Sequence, residues 1–218
     1  MMSDKMNWGE TNRAVISGRV TRSPVYSHTT FGEEFLSFRL GVRRISGKLD
    51  EADILVSRRL LDAAGITAEK DTFLEVTGQI RTHNQRAEDG MHLLVFVFCR
   101  GIRPCAQEEY GSNSVMLEGF LCRKPVYRVS PLGREICDVM LAVNRRYGKS
   151  DYIPCIVWGR NAAFAASLSP GGMIRVCGRF QSREYRKQTA HGYETRMAYE
   201  LSVSSVEVPD EKVMEKIW

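Results

Sequence analysis

Within residues 35–42, Leu36, Phe38, Leu40 and Val42 alternate with Ser37, Arg39 and Gly41. A period near two is the signature of a strand with one buried face. Further strands are expected at residues 13–20, 54–57, 73–80 and 93–98. One segment breaks the period. Over residues 58–65, Leu60, Leu61 and Ala64 fall on one helical face, and Ser57 stands before them as an N-cap. Further along, strands are expected at residues 114–121, 136–144, 152–158, 173–183 and 197–208. An alanine-rich helix over 161–168, with Asn161 as its cap, ends at Ser169-Pro-Gly-Gly172.

The two halves share more than an element order. Gly18, Arg22, Pro24, Val25, Tyr26, Gly32, Glu34, Leu40, Val42 and Arg44 recur as Gly119, Arg123, Pro125, Val126, Tyr127, Gly133, Glu135, Leu141, Val143 and Arg145. The offset is a constant 101 residues, too long for a solenoid unit and right for a duplicated domain. Five strands with a helix between the third and fourth is the order of the OB-fold, a small, partly open barrel. The expected architecture is therefore all-β, with two tandem OB-folds at residues 11–105 and 114–208. A solvated linker at 106–113 carries Glu108 and Glu109, and a short tail at 209–218 has Val213, Ile217 and Trp218 on one face of a short amphipathic helix.

Charge separates the copies. The 218-residue chain carries +5 overall. Residues 11–105 hold fourteen basic against eleven acidic side chains, and residues 114–208 fourteen against eight. The second copy is the more basic surface, and basic surfaces favour polyanions. Six cysteines form no C-x-x-C pair, which points to buried free thiols in a reducing compartment. His83, His92, Cys99 and Cys105 lack the paired spacing of a zinc site. Residues 1–10 lack the apolar core of a signal peptide, and no apolar run is long enough for a membrane span, so a cytoplasmic protein is expected. No catalytic constellation or phosphate-binding loop appears, so neither enzymatic activity nor a cofactor or metal is expected.

The second copy supplies what sequence-independent binding of single strands needs: flat rings for bases and cations along the backbone. Tyr147 follows Arg145 and Arg146, with Lys149 close behind. Tyr152 and Trp158 are six apart on one strand and so share a face. Arg183, Tyr185, Arg186, Lys187, Tyr193 and Arg196 lie on the hairpin between the last two strands.

The runs Met140-Leu-Ala-Val-Asn-Arg-Arg-Tyr147, Asp151-Tyr-Ile-Pro-Cys-Ile-Val-Trp-Gly-Arg160, Leu168-Ser-Pro-Gly-Gly172 and Ile174-Arg-Val-Cys-Gly-Arg-Phe-Gln-Ser-Arg-Glu-Tyr185 resemble the bacterial single-stranded DNA-binding protein family. Leu117-Glu-Gly119 with Arg123-Lys-Pro125, and the closing Tyr199-Glu-Leu-Ser-Val, fit the same pattern. The likeness covers nearly all of residues 114–208 and is looser over 15–45 and 73–82. It implies sequence-nonspecific binding and protection of single-stranded DNA in replication, recombination and repair. Base-stacking aromatics are implied at Tyr147, Tyr152, Trp158 and Tyr185. Arg145, Arg146, Lys149, Arg183, Arg186 and Lys187 would neutralise phosphates, and the counterpart pair Arg43 and Arg44 in the first copy gives Arg145 and Arg146 a partly structural reading as well. Because such proteins work with four OB-folds, two per chain imply a homodimer. The tail mixes Asp210, Glu211 and Glu215 with Lys212 and Lys216, unlike the acidic tip through which the family recruits replication and repair proteins. The loop Gly148-Lys-Ser150 is also short for the family.

In the first copy, Asp53-Ile54 is expected opposite Asp151-Tyr152, and Leu60-Leu61 near Trp158-Gly159. Phe35, Phe38, Phe73, Phe96 and Phe98 are expected in the core or at an interface. That half reads either as a weaker binding domain or as a domain serving mainly for assembly. A protein-interaction module of a primosome-like assembly, with incidental nucleic-acid affinity, is the alternative for the whole chain, and RNA is the alternative ligand.

Overall fold

The alternation closes into two barrels. In the computed structural model the described residues are 11–87, 90–107, 111–145, 148–189 and 192–209, with Ala87, Lys187 and Thr189 described by backbone alone. The expected tail helix, with Glu108 and Glu109 of the linker, lies outside them. The first barrel comprises β1 (Asn12–Thr30), β2 (Glu33–Arg43), β3 (Leu49–Ser57), α1 (Arg58–Ala64), β4 (Phe73–Ala87) and β5 (Gly90–Pro104). The second comprises β6 (Asn113–Leu121), β7 (Val126–Val129), β8 (Glu135–Asn144), β9 (Ser150–Trp158), α2 (Arg160–Ser167), β10 (Met173–Thr189) and β11 (Gly192–Glu207). Together β6 and β7 take the place of the long β1. Each barrel is antiparallel except for one parallel pairing, β3 with β5 and β9 with β11.

The alternating apolar residues fill the interiors. Leu36, Phe38 and Leu40 meet Ile54, Val56 and Val97 in the first barrel. Val139, Leu141 and Val143 meet Ile153, Val157 and Leu201 in the second. Two of the repeated glycines have a steric reason. A Cβ on Gly18 would lie 2.3 Å from the Gly41 carbonyl oxygen, and one on Gly119 would lie 2.3 Å from that of Ala142. Only glycine lets the first strand bend close enough to its neighbour to shut the barrel.

The hairpin strands run further than the hydrophobic pattern suggests. Past Ile80 the sequence turns polar, yet β4 and β5 stay paired from Arg81↔Phe96 to Ala87↔Gly90. Backbone hydrogen bonding carries the ladder beyond the core. The helix caps divide. Ser57 Oγ accepts the Leu60 N–H at 3.2 Å, as expected for α1. In α2 the cap position is Gly159 and no side chain caps it. Asn161 instead donates to the Ser204 carbonyl oxygen at 2.7 Å, tying α2 to β11.

The barrels fuse into one eleven-stranded sheet through antiparallel β1 and β6. The register runs from Asn12↔Leu117 through Ala14↔Val115 to Ile16↔Asn113. With the 101-residue offset this is a pseudo-twofold contact centred on Ala14 and Val115, the intramolecular form of an isologous interface. The end of the expected linker is docked: Ser112 N–H donates to Ser17 Oγ at 2.6 Å, and Ser17 N–H to the Ser112 carbonyl at 2.8 Å.

Side chains repeat the symmetry. The Asn12 amide exchanges two hydrogen bonds with the Ile80 backbone at 2.7 and 2.8 Å. Asn113 does the same with Phe180, both at 2.8 Å. Asp151 is fully buried and accepts from Arg145, from Arg81 at 3.0 Å and from the Thr82 N–H at 2.6 Å. Its mate Asp50 accepts from Arg44, from Arg179 at 3.0 Å and from the Ser182 N–H at 3.0 Å. Each carboxylate thus holds an arginine of its own barrel and one from the other.

Candidate nucleic-acid interface

On β9, Asp151, Ile153, Cys155 and Val157 are buried, so the alternate positions Tyr152, Pro154 and Trp158 face outward. Tyr152 is 52 % exposed. Trp158 is half-buried and its indole Nε1 donates to Ser202 Oγ at 3.0 Å, laying the ring across from β9 onto β11. That bond fixes the plane of the ring. The two aromatics expected on one face are on one face.

Tyr185 and its cations stand elsewhere. Beyond Ser182 the hairpin of β10 and β11 carries Arg183, Tyr185 and Arg186, all exposed. Ser182 is docked on β3 of the first barrel: its N–H donates to Asp50, and its Oγ accepts the Glu51 N–H at 3.0 Å. The hairpin therefore extends from the first barrel's β3 and not from the face of β9. Reciprocally, Thr82 on the first barrel's hairpin accepts the Tyr152 N–H at 3.1 Å. Each barrel lends its hairpin to the other. Arg196 of β11 approaches His92 of β5 at 3.4 Å where the hairpins meet. Tyr193, near the tip of its hairpin, is 73 % exposed.

The cations divide by what already holds them. Lys149 is exposed and makes no ion pair among the described residues. Arg186 is exposed, and Arg183 contacts Glu200 at 3.4 Å. Arg145 departs from expectation: its guanidinium is spent on Asp151 and on the Thr82 carbonyl oxygen at 3.0 Å. It is a junction residue, and its charge is neutralised inside the chain. Arg146 and Tyr147 lie outside the described residues, as does the Lys187 side chain. The neighbouring Arg179 is pulled below the usual guanidinium range by burial and by Arg44, against the opposing pull of Asp50.

The first barrel corrects two expectations. The register of β2 with β3 and of β8 with β9 makes Glu51 the counterpart of Tyr152 and Ser57 the counterpart of Trp158. The offset of 101 therefore holds through the whole third strand. Of the five phenylalanines expected in the core or at an interface, Phe38 alone is fully buried; Phe73 is half-buried, and Phe35, Phe96 and Phe98 are half-buried on the outer face. Parity held that signal: Phe96 and Phe98 are out of phase with the buried Val95 and Val97.

The model of the single-strand binding protein family matches residues 112–209. A single-stranded DNA-binding protein of Clostridium acetobutylicum is 35% identical over 96 residues, covering 40% of this chain and 72% of the relative. The chain belongs to the single-strand binding protein family. Single-stranded DNA-binding protein A of Bacillus subtilis is 36% identical over 83 residues, covering 35% of this chain and 48% of that protein. The chain spans about half the length of several of the family relatives it matches; for that of Clostridium tetani the share is 55%. The wild-type single-stranded DNA binding protein from Thermus aquaticus superposes with a TM-score of 0.72 at 22% identity, covering 92% of this chain and 93% of that one. The family model accounts for the second barrel, and the Thermus structure shows the two-barrel fold.

Proposed function

We propose that the protein binds single-stranded DNA without strong sequence preference, protecting it in replication, recombination and repair. The carrying observation is the outward pair Tyr152 and Trp158, the latter held in plane by Ser202. Stacking needs rings that are accessible yet oriented, and every base offers a π-face, so such binding ignores sequence. Lys149, Arg183, Arg186 and Lys187 are the phosphate partners in this reading, with Tyr185 a further platform on the hairpin. Membership in the family and the names of the relatives support it. The second barrel is the principal binding domain, and the chain works as a homodimer that brings four barrels together.

Titration with oligo-dT, read by tryptophan fluorescence, tests this. The chain has three tryptophans, so the quenching assigned to Trp158 is the part lost in Trp158→Phe. Quenching should weaken steeply as salt rises, because phosphate contacts release counterions. No binding of oligo-dT at low salt would refute the proposal. Light scattering at micromolar concentration tests the dimer, and a monomeric mass would refute it. Parallel titration with oligo-rU decides between DNA and RNA.

A further inference from the structure

We propose that the outer face of the first barrel is a second base-stacking track, whose rings sit on different strands from those of the second barrel. The inference rests on the single-strand-binding reading above and extends it to the half that lacks counterparts of Tyr152 and Trp158.

In the second barrel Ser202 lies beside Ile156 in the parallel pairing of β11 with β9. In the first barrel Phe98 lies beside Leu55 in the parallel pairing of β5 with β3. Ile156 and Leu55 are separated by the 101-residue offset, so Phe98 occupies the place of Ser202. Trp158 crosses from β9 to cover Ser202. At the equivalent of Trp158 the first barrel has Ser57, and its ring comes from β5 instead. A serine and an aromatic have exchanged strands, and each barrel keeps an aromatic over the same patch.

The first barrel then extends the patch. Phe35 pairs with Ser57 on the neighbouring strand, and its ring lies 6.0 Å from that of Phe98 at an interplanar angle of 36°. His28 stacks on Phe35 with centroids 5.1 Å apart and planes within 10°. His28, Phe96 and Phe98 line a groove of about 1770 Å³ that also takes in Arg100 and, across the junction, Lys149, and Phe35 contacts the rings of both His28 and Phe98. Both cations are exposed and without an ion pair among the described residues. At the near end Tyr199 of the second barrel stacks on Phe180 with centroids 5.8 Å apart and lines the same groove beside Arg39 and Asp53.

Flat rings in file, half-exposed, with free cations at the rim fit unpaired bases joined by phosphates. An apolar protein segment would need apolar area but no particular ring. That difference makes the occupant testable.

The test uses the full chain and oligo-dT. Phe35→Leu with Phe98→Leu keeps the apolar surface and removes the π-faces; Tyr152→Ala with Trp158→Ala removes the other platform. Ultraviolet cross-linking to oligo-dT followed by mass spectrometry should place thymine on Phe35, Phe98 or His28 in the parent chain. The leucine pair should weaken binding to long oligo-dT by about tenfold or more and shorten the occluded length on poly-dT, with unchanged melting temperature. Cross-links confined to the second barrel, with no change in affinity or occluded length for the leucine pair, would overturn this inference and leave the proposed function standing. A chain that binds no oligo-dT at all would remove both.

Discussion

Asp151→Asn removes one charge from the centre of the junction between the barrels. The carboxylate is fully buried, and its partners Arg81 and Arg145 have side chains only 20% and 29% exposed. Losing it leaves two guanidiniums facing an amide that can accept fewer hydrogen bonds. Removing one partner of a buried ion pair costs about 3–5 kcal/mol, because the remaining charge is stranded. Both arginines keep some contact with water, which places the cost at the lower end, about 3 kcal/mol. For a chain of this size each kcal/mol moves the melting temperature by about 2–4 °C, so a fall of roughly 6–12 °C is expected. The control is Asp138→Asn, which breaks the Arg128–Asp138 pair on the surface, where the side chains are 45% and 35% exposed. Exposed pairs contribute about 1 kcal/mol or less. Calorimetry and urea titration of both variants read the difference. A melting temperature for Asp151→Asn within about 2 °C of the parent, or equal shifts for the two variants, would refute the idea that this carboxylate holds the barrels together.

Trp158→Ala should weaken oligo-dT binding by about 1–3 kcal/mol, and Tyr152→Ala by a similar amount, as read by anisotropy at fixed salt. Lys149→Ala should instead reduce the slope of log affinity against log salt by about one unit while leaving tryptophan quenching intact. Gly119→Ala forces a Cβ to within 2.3 Å of the Ala142 carbonyl oxygen, so the barrel seam must shift. The loss should be a few kcal/mol in urea denaturation, at the large end for single substitutions. Burial pushes the Cys99 thiol up to about 12 and also raises Cys155. A raised pKa lowers the thiolate fraction, so at pH 8 both should resist iodoacetamide until the chain is unfolded, while the exposed Cys122 reacts first. Peptide mapping of the modified cysteines checks that order.

The barrels were legible because each depends on local alternation: Leu36, Phe38, Leu40 and Val42 mark β2 by parity alone. The duplication was legible because the seam glycines and the turn at Gly32 and Gly133, both with positive φ, tolerate few other residues. Three things were not. The length of the hairpins escaped because polar residues past Ile80 leave no hydrophobic trace of a ladder. For Arg145 the recurrence as Arg44 hinted at a structural role, but its partners Asp151 and, 63 residues away, the Thr82 carbonyl were not legible. The outward placing of Phe35, Phe96 and Phe98 stayed undecided between core and interface because their parity was not compared with that of their neighbours. The counterpart of Tyr152 was misplaced by three residues, which a gapless offset carried through β3 would have prevented.

The junction has an asymmetry that a pair of identical subunits could not carry. The first barrel offers Arg81, steadied by Gln79 at 2.6 Å, to Asp151. The second offers Arg179, steadied by Gln181 at 3.0 Å, to Asp50. Arginine and glutamine have changed places. In a twofold homodimer one codon writes both sides of the contact, so a change on one side is forced on the other at once. Joining the halves in one chain frees each codon to drift alone and keeps the pairing unimolecular, indifferent to dilution. The same licence lets a ring migrate from one strand to another in a single barrel while its partner stays as it was.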